Sequence, residues 1–219
     1  MIEYYKKVKM ILKELLSDII NQYNIKIKGI LHIGAHECEE LEIYKKLGVN
    51  ENNIIWIEAI KEKCIKNKNN GIKNVFNYLI TNSDNKITSF NIANNYQSSS
   101  ILNLHLHKKY HPSVKMIKSI NIESITINKF FKENNINNTN YNFWNLDIQG
   151  AELLALKGAG DILENVDILY LEVNNKEVYK DCCLVTDLDT YLSNYNFKRI
   201  HTQYWNDVCG WGDAIFIKI

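Results

Sequence analysis

Two hydrophobic periods alternate along this chain. Short, nearly unbroken apolar runs at residues 30–33, 54–58, 75–80, 143–147 and 168–173 are separated by stretches that read as helices, at 37–47, 61–68, 127–132 and 151–156. Continuous apolar strands are those buried on both faces, and regular alternation with helices predicts a parallel sheet joined by right-handed crossovers. A last helix at 184–193 and closing strands at 198–202 and 213–219 complete the expected pattern. The reading is an α/β, Rossmann-like fold, with a seven-stranded, mostly parallel sheet and helices on both faces. Ahead of it, Tyr4, Val8, Ile11, Leu12, Leu15, Leu16 and Ile19 recur at helical spacing within residues 1–23 and predict an amphipathic helix, packed on the sheet or on a partner chain.

Residues 86–127 break the alternation. Strand-like runs at 87–92 and 118–122 flank a turn-like stretch, 96–112, rich in serine and histidine. We read this segment as an insertion covering the crevice of one domain spanning 1–219.

Composition narrows the possibilities. At 219 residues and 46% hydrophobic content the chain can fill one sizeable core but not two full domains. A net charge of +1 lacks the basic footprint of a dedicated nucleic-acid binder, which makes nucleic acid an unlikely partner and a small molecule the expected one. The five cysteines (Cys38, Cys64, Cys182, Cys183, Cys209) form no C-x-x-C pair and read as reduced thiols of a cytoplasmic protein. No apolar run is long enough to span a bilayer, and the first 21 residues hold no signal-peptide core. The 31 asparagines mark surface turns such as 134–140 and point to no chemistry.

The chemistry lies in the turns. Gly34-Ala35-His36 follows the first strand, where a glycine lets backbone amides approach a ligand. Cys38 and Glu39 occupy positions at which a phosphate-cradling loop has further glycines, so a nucleoside fits better than a dinucleotide. Glu58 ends the second strand 24 residues after Gly34, the spacing at which an acid accepts from a ribose diol. Asn82-Ser83-Asp84, after the third strand, is either a reader of an adenine ring or an ordinary polar turn. Asp147 ends the fourth strand ahead of Ile148-Gln149-Gly150 and is read as a catalytic carboxylate, with a helix N-cap as the competing role. Glu172 ends the fifth strand on the same edge. His105, His107 and His111 match no firm metal-ligand spacing, so no metal is expected, and His105 is taken as a proton acceptor alongside Asp147 and Glu172. His32 reads as a structural core residue.

Together these motifs resemble the FkbM-type family of S-adenosylmethionine-dependent methyltransferases. The resemblance rests on His32-Ile33-Gly34-Ala35-His36 with Glu39-Glu40 and Tyr44, on Trp56-Ile57-Glu58-Ala59, and on Ser98-Ser99-Ser100-Ile101-Leu102. It continues through Leu146-Asp147-Ile148-Gln149-Gly150-Ala151-Glu152-Leu153, Leu156-Lys157-Gly158-Ala159, Leu171-Glu172-Val173-Asn174 and Trp211-Gly212-Asp213-Ala214. It implies a class I methyltransferase fold, S-adenosyl-L-methionine as methyl donor and transfer to oxygen, often of a sugar in glycan biosynthesis. Gly34, Ala35 and His36 would line the methionine end, Glu58 would hold the ribose, and Ser99 and Asp147 would face the reacting centre. Glu40, Ala59, Asn82, Ser83 and Gln149 join the expected cofactor site. Cys38 departs from the glycine usual in this branch, and a left-handed backbone there would shift the start of the following helix. The expected acceptor is a sugar or nucleotide-sugar hydroxyl. Another small-molecule hydroxyl, a nucleic-acid ribose, or a non-catalytic role in a glycosylation complex remain the alternatives, with a homodimer or a link to other glycan-pathway domains as further associations.

Overall fold

The computed structural model describes residues 13–206 and 208–219. Its main sheet has seven strands: β1 (Ile30–Ile33), β2 (Ile54–Glu58), β3 (Val75–Asn77), β7 (Phe143–Leu146), β8 (Ile168–Asn174), β9 (Phe197–Asn206) and β10 (Trp211–Lys218). Their spatial order is β3-β2-β1-β7-β8-β10-β9. The first five run parallel and β10 is antiparallel to both of its neighbours. The order reverses between β1 and β7, which opens a crevice at their carboxyl ends, where such sheets bind ligands.

Every residue of β1, β2, β7 and β8 is buried. Alternate positions feed two cores, one per face. Leu31, Ile33, Ile55 and Ile57 pack with Phe130, Leu156 and Leu188 from α5 (Ile127–Glu133), α6 (Glu152–Lys157) and α7 (Val185–Ser193). Ile30, Ile54 and Trp56 pack with Leu16, Tyr44 and Cys64 from α1 (Lys13–Gln22), α2 (Leu41–Lys46) and α3 (Lys61–Asn69). The expected amphipathic helix is thus seen in its second half, with Leu16 and Ile19 buried. Tyr4, Val8, Ile11 and Leu12 lie outside the described residues. His32 packs with the second core, where its Nδ1 and Tyr44 Oη share a hydrogen bond of 3.0 Å and Asn145 Nδ2 donates to that hydroxyl at 2.7 Å.

Two expectations need correction. The apolar run 75–80 is not one strand: β3 ends at Asn77, and β4 (Leu79–Ile80) joins a second sheet of order β4-β6-β5. The split occurs because Asn77 Nδ2 turns back to Glu58 O and Ala59 O at 2.9 and 3.0 Å, while Tyr78 packs edge-on against Phe130. The second sheet is the segment that broke the alternation: β5 (Lys86–Ala93) and β6 (Met116–Ile125) pair antiparallel and enclose the short α4 (Leu106–Tyr110). The helix expected from residue 37 starts only at Leu41, because His36 and Cys38 have φ of +42° and +58° and cannot continue a right-handed turn.

Candidate active site

Three strand ends meet at Gly34. Its φ is +90°, and a Cβ there would lie 1.9 Å from Asp147 O, so the turn after β1 seats directly on the chain leaving β7. Gly34 and Ala35 both donate their N–H to Ile57 O, at 2.9 and 3.1 Å, which ties the same turn to β2. His36 N–H then reaches Glu58 Oε2 and Ile60 N–H reaches Glu58 Oε1, each at 2.8 Å. Burial pushes the Glu58 carboxyl up, and these two backbone donors pull it back. Cys38 tolerates its left-handed backbone in a buried slot where Asn67 Nδ2 contacts its Sγ and also donates to His36 O at 2.8 Å.

Around these turns lies a cleft. Gly34, His36, Glu58, Ala59, Asp147 and Gln149 line it together with apolar Ile60, Leu79, Phe90 and Ile101. The second sheet supplies its cover: Tyr96 and Gln97 line it from the loop after β5, and Lys63 Nζ sits 4.7 Å over the Tyr96 ring. Ser99 lines the cleft as well, its Oγ accepting from Ala93 N–H at 3.0 Å.

A second cavity opens beyond Asp147, Gln149 and Gln97, which line both. Gln149, at φ +58°, organises their junction: its Nε2 donates to Asp147 Oδ1 at 2.5 Å and to Glu172 Oε2 at 3.0 Å, and its Oε1 accepts from Tyr179 Oη at 2.6 Å. Ser100 Oγ holds the Gln149 carbonyl at 2.9 Å. Burial, with Asp147, Glu152 and Asp213 close by, pushes the Glu172 carboxyl well up from the usual carboxylate range. Asp213, which faces Glu172 across the β8–β10 pairing, accepts from Tyr170 Oη at 2.6 Å and Trp205 Nε1 at 3.0 Å. Asp147 is not the helix cap; Ala151 holds the N-cap position of α6, and the loop is closed by fully buried Glu152, whose Oε1 accepts from Ile148 and Gly150 N–H at 3.0 and 3.2 Å.

Thus Gly34, His36, Glu58, Ala59, Ser99, Asp147 and Gln149 converge on the cleft, and Glu172 on the adjoining cavity. Other predicted positions do not. Ala35 is buried behind the turn, and Glu40 lies 3.9 Å from His32. Asn82 and Ser83 line neither cavity; Ser83 N–H closes on Thr81 Oγ1 at 3.2 Å and Asp84 Oδ1 accepts from Thr126 N–H, which makes this segment the polar turn before β5. His105 also lines neither cavity: half-exposed, it turns its Nδ1 to Glu177 O at 3.0 Å. His107 and His111, two and six residues further on, line the second cavity instead. Burial lowers both imidazoles, His107 to about 4. Sequence reasoning placed no site role on Gln97, Tyr179 or Trp205. Trp211 and Asp213 stood only within a motif, and the β8–β10 register that brings Asp213 to Glu172 is not visible in one sequence. Among the described residues no group of three or more His, Cys, Asp or Glu side chains could hold a metal ion.

A family model described as the methyltransferase FkbM domain matches residues 32–199. No curated protein matches the chain. Among solved structures, a Streptococcus pneumoniae protein described as a candidate tRNA methyltransferase is 14% identical, with 95% of this chain and 71% of that one covered at a TM-score of 0.48. M. capricolum TrmK, solved with S-adenosylhomocysteine, is 11% identical, with 91% and 67% covered at 0.48. A candidate RNA methyltransferase of Pyrococcus horikoshii is 12% identical, with 94% and 84% covered at 0.44.

Proposed function

The chain belongs to the FkbM methyltransferase family, and from that premise we propose that it is an O-methyltransferase acting on a sugar hydroxyl. Its methyl donor is S-adenosylmethionine, which supplies a methyl group already activated on a sulfonium. The residues of the first cleft fit that donor. A buried carboxylate, Glu58, sits at the end of β2 where a ribose diol needs an acceptor, and the turn at Gly34 admits backbone close to a ligand. In this reading Gly34, His36 and Gln97 surround the amino-acid end, Glu58 takes the ribose, and Ile60, Leu79 and Phe90 enclose the adenine. The second sheet then serves as the cover of one methyltransferase domain.

One observation carries the acceptor class: the second cavity sets two indoles, Trp205 and Trp211, beside Asp147, Gln149 and Asp213. A sugar ring has apolar C–H faces and a rim of hydroxyls, and this lining offers a partner to each. The Trp205–Asp213 hydrogen bond fixes one indole against one carboxylate.

Asp147 stands where the two cavities meet and acts as general base, taking the hydroxyl proton as its oxygen attacks the methyl carbon. Gln149 and Tyr179 are positioning residues that hold the Asp147 carboxylate in place. Burial and the neighbouring carboxylates shift Glu172 beside it towards its protonated form. The test incubates the protein with isotopically labelled S-adenosylmethionine and a set of sugar glycosides. A labelled methyl ether on a sugar carbon is expected, and Asp147→Asn should lower turnover about 10²-fold or more with donor binding retained. Label found only on nitrogen or carbon, or normal turnover in the variant, would contradict the reading.

A further inference from the structure

We propose that Tyr96 and Gln97 form a side-chain gate over the first cleft, latched by Lys63, beneath which the methyl donor passes on its way in and out. This inference rests on the reading of that cleft as the donor site and adds how the donor is admitted and held.

The gate stands on a pinned turn. Asn91 and Ser100 exchange backbone hydrogen bonds of 2.8 and 3.0 Å, which close the loop after β5 at its base. Above them Ser99 Oγ accepts from Ala93 N–H at 3.0 Å. Asn94 is tied to the segment before β6, accepting from Lys115 N–H at 3.1 Å and donating to Ser113 O at 2.9 Å. On the other side of the tip, Ser98 N–H donates to Asn95 Oδ1 at 3.1 Å. Ser98 and Ser99 are buried, whereas Tyr96 between these anchors is 41% exposed. With the backbone held, opening the tip is a matter of swinging side chains.

Two side chains run from this tip to elements of the main sheet. The Tyr96 ring lies 4.7 Å from Lys63 Nζ on α3, and Gln97 Nε2 approaches Glu39 Oε1, after β1, at 3.5 Å. Both Tyr96 and Gln97 line the cleft, so these contacts draw the cover and the sheet together across it. The Gln97 contact is at the long limit of a hydrogen bond and is the looser of the two. The Tyr96 contact is the latch. Glu37 Oε1 accepts from Lys63 Nζ at 2.6 Å and the Lys63 side chain is only 12% exposed, which fixes the ammonium where the ring meets it. Lys66 Nζ donates to the other Glu37 oxygen at 2.8 Å, so that carboxylate keeps a partner if either lysine is removed. Lys63 does not itself line the cleft. It is a positioning residue that acts through Tyr96.

A gate that closes over the empty and the filled cleft alike slows entry and exit together, and so changes rates without changing affinity. A side chain that merely touches the bound donor behaves differently: its loss speeds exit alone. The same gate shapes the neighbouring cavity, because Gln97, with Asn95 and Ser98, lines that one too.

The test measures association and dissociation rates of S-adenosylhomocysteine by surface plasmon resonance at low temperature. Lys63→Met should raise both rates at least about threefold, the scale of a lost cation–π contact. Its Kd should stay within about twofold of the wild type, since the latch favours the closed form equally with and without donor. Lys66→Met, with the same loss of charge, should leave both rates unchanged, and Tyr96→Phe, which keeps the ring, should match the wild type. In a Tyr96→Ala background Lys63→Met should add nothing. Unchanged rates in Lys63→Met, or faster dissociation alone, overturns the gate and leaves the donor site standing. Absence of binding to the wild type removes the donor site itself, and the gate with it.

Discussion

Gln149 concentrates much of the site in one side chain. Tyr179 fixes its amide, the amide holds Asp147 and Glu172 together, and its left-handed backbone is clamped by Ser100. The role of such a residue cannot be read in sequence, because nothing in Ile148-Gln149-Gly150 announces a positive φ on glutamine. Gly34 is different, since a glycine between an apolar strand and a polar turn already pointed to a tight approach. Its requirement is severe: Gly34→Ala would push a methyl group against Asp147 O, and a loss of about 3 kcal/mol or more is expected, measured by denaturant unfolding. Glu152 supplies a pH signature. Burial lifts its carboxyl from the ordinary 4.5 to about 8, so the folded chain holds this proton more tightly than the unfolded chain does. That contribution is complete below pH 4.5 and is lost as pH rises to about 8. Melting temperatures of the wild type should therefore fall across this window relative to Glu152→Gln, which keeps an oxygen for the Ile148 and Gly150 N–H groups. Parallel melting curves in the two proteins would show that Glu152 is not the group responsible.

At the scale of elements, hydrophobic periodicity located the strands well because β1, β2, β7 and β8 are buried on both faces. It was weakest where polar contacts decide. The run 75–80 reads as one strand until Asn77 folds back on β2, and the helix after β1 reads four residues too early until the left-handed turns at His36 and Cys38 are seen. Asn67 on α3 makes that unusual turn possible by bonding His36 O, and Asn67 is fully buried. Asn67→Ala should cost about 1–3 kcal/mol of stability, because His36 O loses its side-chain partner inside the protein. It should also weaken donor binding, since His36 N–H positions Glu58. An unchanged affinity in a destabilised variant would separate the turn's packing from its part in the site.

Across the whole molecule, the sheet order and the meeting of β1, β2 and β7 follow from the alternation of strands and helices, and much of the lining of the first cleft was legible from the turns that end those strands. The lining of the second cavity was not. It is assembled from α4, the loop after β5, and β8 to β10, segments distant in sequence whose contacts arise only from the β8–β10 register and the placement of the second sheet. This is why His105 was singled out when His107 and His111 face the cavity. The described residues include no helix long and apolar enough to cross a membrane.

The account turns on donor binding in the first cleft, and calorimetric titration with S-adenosylhomocysteine measures it directly. The wild type should bind one equivalent, Glu58→Gln should bind at least about tenfold more weakly with its fold intact by melting, and His105→Ala should match the wild type. Absence of binding, or equal affinity in Glu58→Gln, would contradict the placement of the donor against Glu58.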